Sequence, residues 1–189
     1  MSSFAGGVMV VAEKGLLRLR MSWEEFLAYP SERAEWVDGE VVVSPPVGPG
    51  HALAATGLIV ALKSALPDLF VMSEVGVRLP HNRMRGPDIT VTDTRPEATW
   101  VETAPVLVVE ILSPSTRTED TVRKGPEYAE AGAGQFWVVD PDHRSIDVFT
   151  NVEGRWEPLL HLDRQHPTGS VQVGEHGVVS IDLAAVVPA

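Results

Sequence analysis

The sequence predicts an α/β domain with a mixed sheet, and two apolar strands and one long apolar helix are the main observations behind this prediction. The stretch Leu107–Leu112 is a continuous apolar run interrupted only by Glu110, which is typical of a strand buried on both faces. A second, β-branched strand begins at Asp88 and runs to Thr92. Residues 51–66 are rich in alanine and leucine, with Lys63 as the one charge, as expected for a largely buried helix of about four turns.

Length and composition fit one folded domain that needs no covalent cross-links. The chain has 189 residues, 44% of them hydrophobic, and no cysteine, which excludes disulfides and thiolate metal sites. No run approaches the roughly 20 apolar residues of a membrane span, so we expect a cytoplasmic protein without membrane contact. The net charge of −11 argues against a nucleic-acid coat protein, but not against an enzyme whose cation site collects acids.

The N-terminal region divides into an arm and the start of the domain. Residues 1–20 are expected to form a loose arm that could add one short strand, and residues 21–189 to form a single domain. Ser22 and Glu25 have the spacing of a capping box, which predicts a short helix ending by Pro30.

The rest of the chain alternates between strand, helix and turn signals. Asp38-Gly39 supplies the positive φ angles of a tight turn within a hairpin over residues 35–43. The other predicted elements are a strand over 71–79, a helix over 115–131 with Pro126 slightly inside it, a strand over 135–140, a hairpin over 145–160, and a short strand followed by a small helix over 181–186.

Two strand acids and a helix lysine form the candidate site. Asp88 and Glu110 lie on separate strands, and neighbouring strands in a sheet are about 4.8 Å apart. Since an ionised carboxylate is costly in an apolar strand unless a cation meets it, the pair could share a divalent ion such as Mg²⁺, with the backbone carbonyl of Ile111 as a third ligand. Lys124 is suited to holding the attacking water or stabilising developing negative charge.

These three residues also have ordinary structural explanations. Glu110 could pair with a core arginine. Asp88 could be a turn acid after Gly86-Pro87. Asp120 and Lys124 are four residues apart and could be a surface ion pair on one helix face.

Other polar residues near the candidate site are less specific. Arg83 and Arg85 precede the first strand acid with no acid between them, so they could form a positively charged approach for substrate or simply a solvated loop. His51 could cap a helix or lie near a metal. Ser113 and Ser115 have no nucleophile-elbow motif around them and favour turn and cap positions.

Several motifs follow one another in a defined order. They are E-W-V-D-G-E at 35–40 followed by Pro45, Pro46 and His51, P-D-I-T-V at 87–91, L-V-V-E-I-L-S-P-S-T at 107–116, D-T-V-R-K at 120–124 with Tyr128, and F-W-V-V-D-P at 136–141. In this order and spacing the sequence resembles the Uma2 family of the PD-(D/E)XK nuclease-like superfamily. The resemblance extends from about Met21 to Asp142.

The resemblance implies a restriction-endonuclease-like PD-(D/E)XK core with flanking helices and added β-hairpins. It implies that Asp88 and Glu110 are the metal carboxylates, and that Glu35 is the acid from the N-terminal part of the core. It also implies that Lys124 is the catalytic lysine. The superfamily usually places this lysine two positions after the second acid, where the present sequence has Leu112.

We therefore expect Mg²⁺-dependent hydrolysis of phosphodiester bonds in DNA, with Mn²⁺ able to substitute. The candidate substrate contacts are Arg83, Arg85, His51, Asp120 and Tyr128. One alternative is a non-catalytic binding or assembly module, which the acidic composition favours. Another is a metal-dependent phosphodiesterase acting on RNA or small nucleotides. A homodimer would provide two sites for cutting both strands.

Overall fold

Two sheets, where the sequence predicted one, organise the computed structural model of this chain. The structure describes residues 11–13, 16–29, 33–114, 117 and 119–188. These residues form two six-stranded sheets and a separate two-stranded hairpin. Both strands and helices are present, so the α/β class with a mixed sheet is confirmed.

The elements follow one another closely along the chain. They are β1 (Val11–Glu13), β2 (Leu16–Arg20), α1 (Trp23–Leu27), β3 (Ala34–Val37), β4 (Glu40–Val43), α2 (Pro49–Ala65), β5 (Phe70–Ser73), β6 (Val77–Leu79), β7 (Arg83–Arg85), β8 (Ile89–Thr92), β9 (Leu107–Ile111), α3 (Gly125–Glu130), β10 (Gln135–Asp140), β11 (Ser145–Val152), β12 (Arg155–Leu162), β13 (Thr168–Val173), β14 (Gly177–Asp182) and α4 (Leu183–Val186). A short 3₁₀ turn (Pro80–Asn82) precedes β7, and a π-helical segment (Glu119–Lys124) leads into α3.

The first sheet is antiparallel, in the order β1-β2-β4-β3-β7-β6. Its β3–β4 hairpin turns at Asp38 and Gly39, which have φ angles of 51° and 87°. This is the turn that the Asp-Gly pair predicts. The expected N-terminal arm contributes two strands rather than one, and β2 buries Leu16 and Leu19.

The second sheet has the order β12-β11-β10-β9-β8-β5 and carries the candidate acids. Its β9 and β10 are parallel, while its other neighbouring strands are antiparallel. Alternate residues of a strand point to opposite faces. Val109 packs in the core beneath α2, whereas Val108 and Leu112 pack in the cluster around Tyr128 of α3. Glu110 therefore points towards α3.

Helix α2 covers one face of the second sheet together with α4 and the β13–β14 hairpin. Ala54, Leu58 and Leu62 of α2 are buried, but Leu53 and Val60 are 54% and 60% exposed. The prediction of a largely buried helix is therefore right for one face only. No helix among the described elements is long and apolar enough to cross a membrane.

Two predicted boundaries were wrong. The single strand expected over 71–79 is two strands in different sheets, because β5 pairs with β8 and β6 pairs with β7. Glu74, between them, has a φ of 54°, a backbone conformation that an extended strand does not use. At the C-terminus, β14 continues to Asp182, whose side chain caps α4 by accepting from Ala184 N.

The helix expected over 115–131 changes character along its length. It is π-helical over Glu119–Lys124 and α-helical from Gly125. Pro126 is the second residue of α3, where its missing N–H costs no helical hydrogen bond. Ser115, the expected cap of this helix, lies outside the described residues.

Candidate active site

A cleft beside the β3–β4 hairpin, between the start of α2 and the end of β9, contains most of the candidate residues. Its volume is about 220 Å³. The lining includes His51, Asp88, Glu110, Ile111, Asp120, Lys124 and Glu35. The fold thus brings together seven candidates that are spread over 90 residues of the sequence.

Lys124 lies among three carboxylates at the buried end of this cleft. Its Nζ is 2.9 Å from Glu35 Oε1, 3.0 Å from Asp120 Oδ1 and 3.2 Å from Glu110 Oε1. Burial alone would lower the pKa of Lys124, but the three acids outweigh burial and hold its pKa well above the ordinary value. Lys124 is therefore a cation at neutral pH. Since only 3% of the Asp120 side chain is exposed, Asp120 and Lys124 are not an ordinary surface pair.

The π-helical segment sets the direction of these side chains. Asp120 and Lys124 are buried, whereas Thr121, Val122 and Arg123 of the same segment are exposed. The segment therefore turns its acid and lysine into the cleft. Single π-helical turns within α-helices frequently occur at functional sites.

Glu110 meets Lys124 and Tyr128 rather than a core arginine. The Tyr128 hydroxyl donates to Glu110 Oε1 at 2.7 Å. Burial, followed by the nearby charges of Asp120, Asp88 and Glu35, raises the pKa of Glu110 well above its ordinary value, although Lys124 opposes the shift. Glu110 therefore has a strong tendency to take up a proton or a further cation.

Asp88 is held from two sides beside Glu110. Because Ile89 is opposite Val109 in the β8–β9 pair, the acid before β8 lies next to the acid of β9. Ile111 N donates to Asp88 Oδ2 at 2.7 Å, and His51 Nε2 lies 3.0 Å from Asp88 Oδ1. His51 is 10% exposed at its side chain, and its Nδ1 atom is buried without a hydrogen-bond partner. Nε2 is therefore the ring nitrogen of His51 that can donate to Asp88.

Glu35 anchors Lys124 from the first sheet. Its Oε1 accepts from Gly86 N at 2.9 Å, and its Oε2 accepts from Arg85 Nη1 at 2.9 Å. Burial would raise the pKa of Glu35, but the charges of Lys124 and Arg85 together lower it below the ordinary value. Glu35 is therefore an ionised anchor for the lysine.

The two arginines expected at the substrate approach have internal partners. Arg85 is 1% exposed and donates to both carboxylate oxygens of Glu127, from Nε at 2.6 Å and from Nη2 at 2.9 Å. Arg83 makes a two-point contact with Asp38, at 3.2 and 2.9 Å. In this structure Arg85 organises the interior instead of offering a surface contact, and Arg83 lies outside the cleft.

Two contributors to the site were missed at the sequence level. Glu127 holds Arg85, which in turn holds Glu35. Glu127 lies three residues after Lys124, and this spacing could have marked it as a residue on the same helix face as the lysine. Arg33 lines the cleft and pairs with Glu74 across its mouth. No motif in the sequence distinguishes Arg33, because its position depends on the path of the chain before β3.

The donor set fits a hard divalent cation. In the part of the chain that is described, no group of three or more His, Asp or Glu side chains is arranged to hold a metal ion. However, Asp88 and Glu110 are carboxylates on neighbouring strands and line the cleft together with Ile111, and Mg²⁺ prefers oxygen ligands and keeps several waters when it binds proteins. The described cleft lining also carries five carboxylates against the cations Arg33 and Lys124, an excess of negative charge that a divalent ion would neutralise.

Comparisons with known proteins agree with this architecture. The Uma2 family model, described as "putative restriction endonuclease", matches residues 23–184. The crystal structure of a "putative nuclease belonging to DUF820" from Anabaena variabilis ATCC 29413 superimposes with a TM-score of 0.72 and 20% sequence identity, over 88% of this chain and 97% of that chain. This likeness concerns the fold and confirms the predicted restriction-endonuclease-like core. No curated protein matches the sequence.

Proposed function

This chain belongs to the Uma2 family, and on that premise we propose that it is a Mg²⁺-dependent endonuclease that hydrolyses phosphodiester bonds in DNA. One observation supports the proposal above all. A buried, permanently charged lysine contacts Glu110 at the closed end of a cleft that also holds Asp88. A fixed cation beside a pair of metal-suited carboxylates is what phosphoryl transfer requires of a protein.

Asp88, Glu110 and the main-chain carbonyl of Ile111 would hold the ion, and Mn²⁺ could take its place. When bound, the ion supplies Lewis-acid polarisation of a phosphoryl oxygen and lowers the pKa of a water molecule. The hydrogen bonds from Ile111 N and His51 Nε2 would orient Asp88. Tyr128 would do the same for Glu110. We infer that His51 and Tyr128 are positioning residues.

Lys124 would act as a cation and not as a base. Its pKa lies well above the ordinary value, so it carries no lone pair that could accept a proton at neutral pH. Its charge can stabilise the negative charge that develops on the phosphoryl oxygens. Because three carboxylates occupy its three N–H donors, it can orient the attacking water only when one of these contacts, such as the 3.2 Å contact with Glu110, opens. Glu35 and Asp120 hold the ammonium group in place for this role.

Plasmid cleavage by conservative variants tests the proposal. Asp88→Asn, Glu110→Gln and Lys124→Met preserve side-chain size. A circular dichroism melt of each variant separates lost activity from lost folding, above all for Lys124→Met, which leaves three buried carboxylates without their cation. Each is expected to reduce Mg²⁺-dependent cleavage of supercoiled DNA by about 10²-fold or more. Asp68→Asn, at an exposed acid outside the cleft, is the matched control and should cleave like the wild type. Equal activity in all five proteins would overturn the assignment.

The same assay separates the remaining alternatives. A homodimer that cuts both strands would produce linear plasmid with little nicked intermediate, whereas a single site would accumulate nicked circles. His51→Gln keeps a donor near Asp88 and should retain more activity than His51→Leu. The Mn²⁺ affinity of His51→Leu, measured by isothermal titration calorimetry, should fall by about 10-fold. Cleavage of RNA or small diesters, with none of DNA, would replace DNA as the proposed substrate.

A further inference from the structure

A second cleft, rich in arginine, lies near the first one, because Arg85 in its lining contacts Glu35 of the first cleft. We call it the arginine cleft, and the arginines in its lining are Arg18, Arg20, Arg85 and Arg123. Arg83 joins them through its contacts with Asp38 and Glu127, which also line this cleft. Five of the 15 lysine and arginine residues of the chain therefore meet at one place.

This concentration of positive charge contrasts with the rest of the molecule. The whole chain has a net charge of −11, yet among the described residues the arginine cleft is lined by three acids, Asp38, Glu40 and Glu127. Two of these acids are bound by arginines at short distance, Asp38 by Arg83 at 2.9 Å and Glu127 by Arg85 at 2.6 Å. The local balance is therefore positive on an otherwise acidic protein.

Two of the arginine side chains face the solvent. Arg20 is 70% exposed at its side chain and lies 4.0 Å from Glu40, at the limit of an ion pair. Arg123 is also exposed. An exposed guanidinium can form two parallel hydrogen bonds to a phosphate group, so these two side chains are the ones that an anionic polymer would reach first.

The Arg85 side chain connects the arginine cleft to the candidate active site. Arg85 donates from Nη1 to Glu35 of the first cleft and from Nε to Glu127 of the second. In the π-helical segment, Arg123 is exposed on the side of the arginine cleft while its neighbour Lys124 is buried in the active-site cleft. A ligand in one cleft would therefore lie next to a ligand in the other.

We propose that the arginine cleft binds the phosphate backbone of DNA beside the scissile phosphate. This inference rests on the proposed nuclease function. The active-site cleft is lined by more acids than cations and repels a polyanion until a divalent ion is bound. A neighbouring positive surface offsets this repulsion and supplies the sequence-independent attraction by which proteins hold a DNA backbone. Arg20 and Arg123, the exposed arginines, contact phosphates, and the more buried arginines form the floor.

DNA binding measured without divalent ions tests the arginine cleft independently of cleavage. The probe is a fluorescein-labelled duplex, and the readout is fluorescence anisotropy over a range of KCl concentrations. Relative to the wild type, the double variant Arg20→Ala/Arg123→Ala should bind about 10-fold more weakly at moderate salt. The slope of log affinity against log salt should fall by about 0.9 for each lost phosphate contact. The double variant Arg155→Ala/Arg164→Ala, at exposed arginines outside the cleft, removes the same charge and should keep the wild-type slope.

The outcomes distinguish this inference from the proposed function. If the wild type cleaves plasmid but both double variants keep the wild-type salt slope, the proposed DNA binding by the arginine cleft is wrong and the nuclease proposal stands. If the double variants differ in DNA binding as expected but the wild type cleaves nothing, DNA binding by the arginine cleft is supported and the nuclease proposal is contradicted. Equal losses in both double variants, or no binding by the wild type, overturn the arginine cleft.

Discussion

Glu110 is the residue at which stability and the proposed function oppose each other. It is 1% exposed, and its pKa is raised by burial and by the neighbouring acids. An acid whose pKa is raised on folding costs stability once the pH exceeds its ordinary value of 4.5. The fold accepts this cost at a position where a well-packed apolar side chain would be expected. A carboxylate kept under such conditions is suited to binding a cation.

Replacing Glu110 by glutamine should therefore stabilise the protein without metal. Gln keeps an oxygen that accepts from Tyr128 but carries no charge, and Lys124 retains Glu35 and Asp120 as partners. At neutral pH we expect thermal unfolding of Glu110→Gln to be about 2–4 °C higher, corresponding to ~1 kcal/mol. Circular dichroism in EDTA measures this shift. Glu157→Gln, at an exposed strand residue, should leave the melting temperature unchanged. A lower melting temperature for Glu110→Gln would contradict this interpretation.

At the scale of elements, helix α2 links the site to the C-terminal part of the chain. Its first turn carries His51, which contacts Asp88, and its middle packs against α4. Gly57 permits this close approach, because a Cβ atom at Gly57 would lie 3.0 Å from both Ala185 O and Val186 Cα. The position of His51 thus depends on a helix–helix contact elsewhere on α2.

Alanine substitutions at two glycines of α2 should have opposite effects. Helix propensity alone favours Ala over Gly by about 1 kcal/mol in a helix interior, and by less at Gly50, the second residue of α2. At Gly57 the new methyl group would collide with the backbone of α4, so we expect Gly57→Ala to lower the free energy of unfolding by about 1–3 kcal/mol. At Gly50 the nearest atom outside the helix is 3.9 Å away, so Gly50→Ala should be neutral or stabilising. Urea denaturation measures both. Similar changes for the two variants would show that α4 does not pack on α2 as described.

At the scale of the whole molecule, the excess of acids in the active-site cleft should link metal binding to global stability. A ligand that binds only the folded state at about 100 times its Kd contributes about 2.7 kcal/mol. For a chain of this length, this corresponds to a rise of about 5–10 °C in melting temperature. Mn²⁺ should produce such a rise in the wild type, and Asp88→Asn should lack it because one ligand is gone.

The rise in melting temperature that Mn²⁺ produces should become smaller as the pH falls. Since the pKa of Glu110 is raised well above 4.5, Glu110 becomes protonated as the pH falls through the raised value, and the ion must then displace a proton. The rise in melting temperature with Mn²⁺ should therefore be smaller at about pH 6 than at about pH 8. Differential scanning fluorimetry at a fixed Mn²⁺ concentration measures it. An equal rise at both pH values would argue against Glu110 as a ligand.

Local patterns in the sequence were sufficient for several features. The Asp38-Gly39 turn and the capping box at Ser22 and Glu25 are both present, because their geometry depends on residues only a few positions apart. The strand patterns around Asp88 and Glu110 also indicated that the two acids could lie on neighbouring strands of one sheet. The β8–β9 register places them next to each other. The family and the fold were predicted correctly from the ordered motifs between Glu35 and Pro141.

Tertiary structure decided which charges are available. The sequence shows Arg83, Arg85 and Arg123 as similar cations, but packing buries Arg85 between two acids and leaves Arg123 exposed. Tertiary structure also assigns β5 and β6 to different sheets, although the sequence was interpreted as one strand there. The energy of a charge depends on burial and on partners far along the chain. The sequence by itself therefore determined the elements and the identity of the strand acids, whereas the charged state of Lys124 and the separation of the two clefts follow only from the folded arrangement.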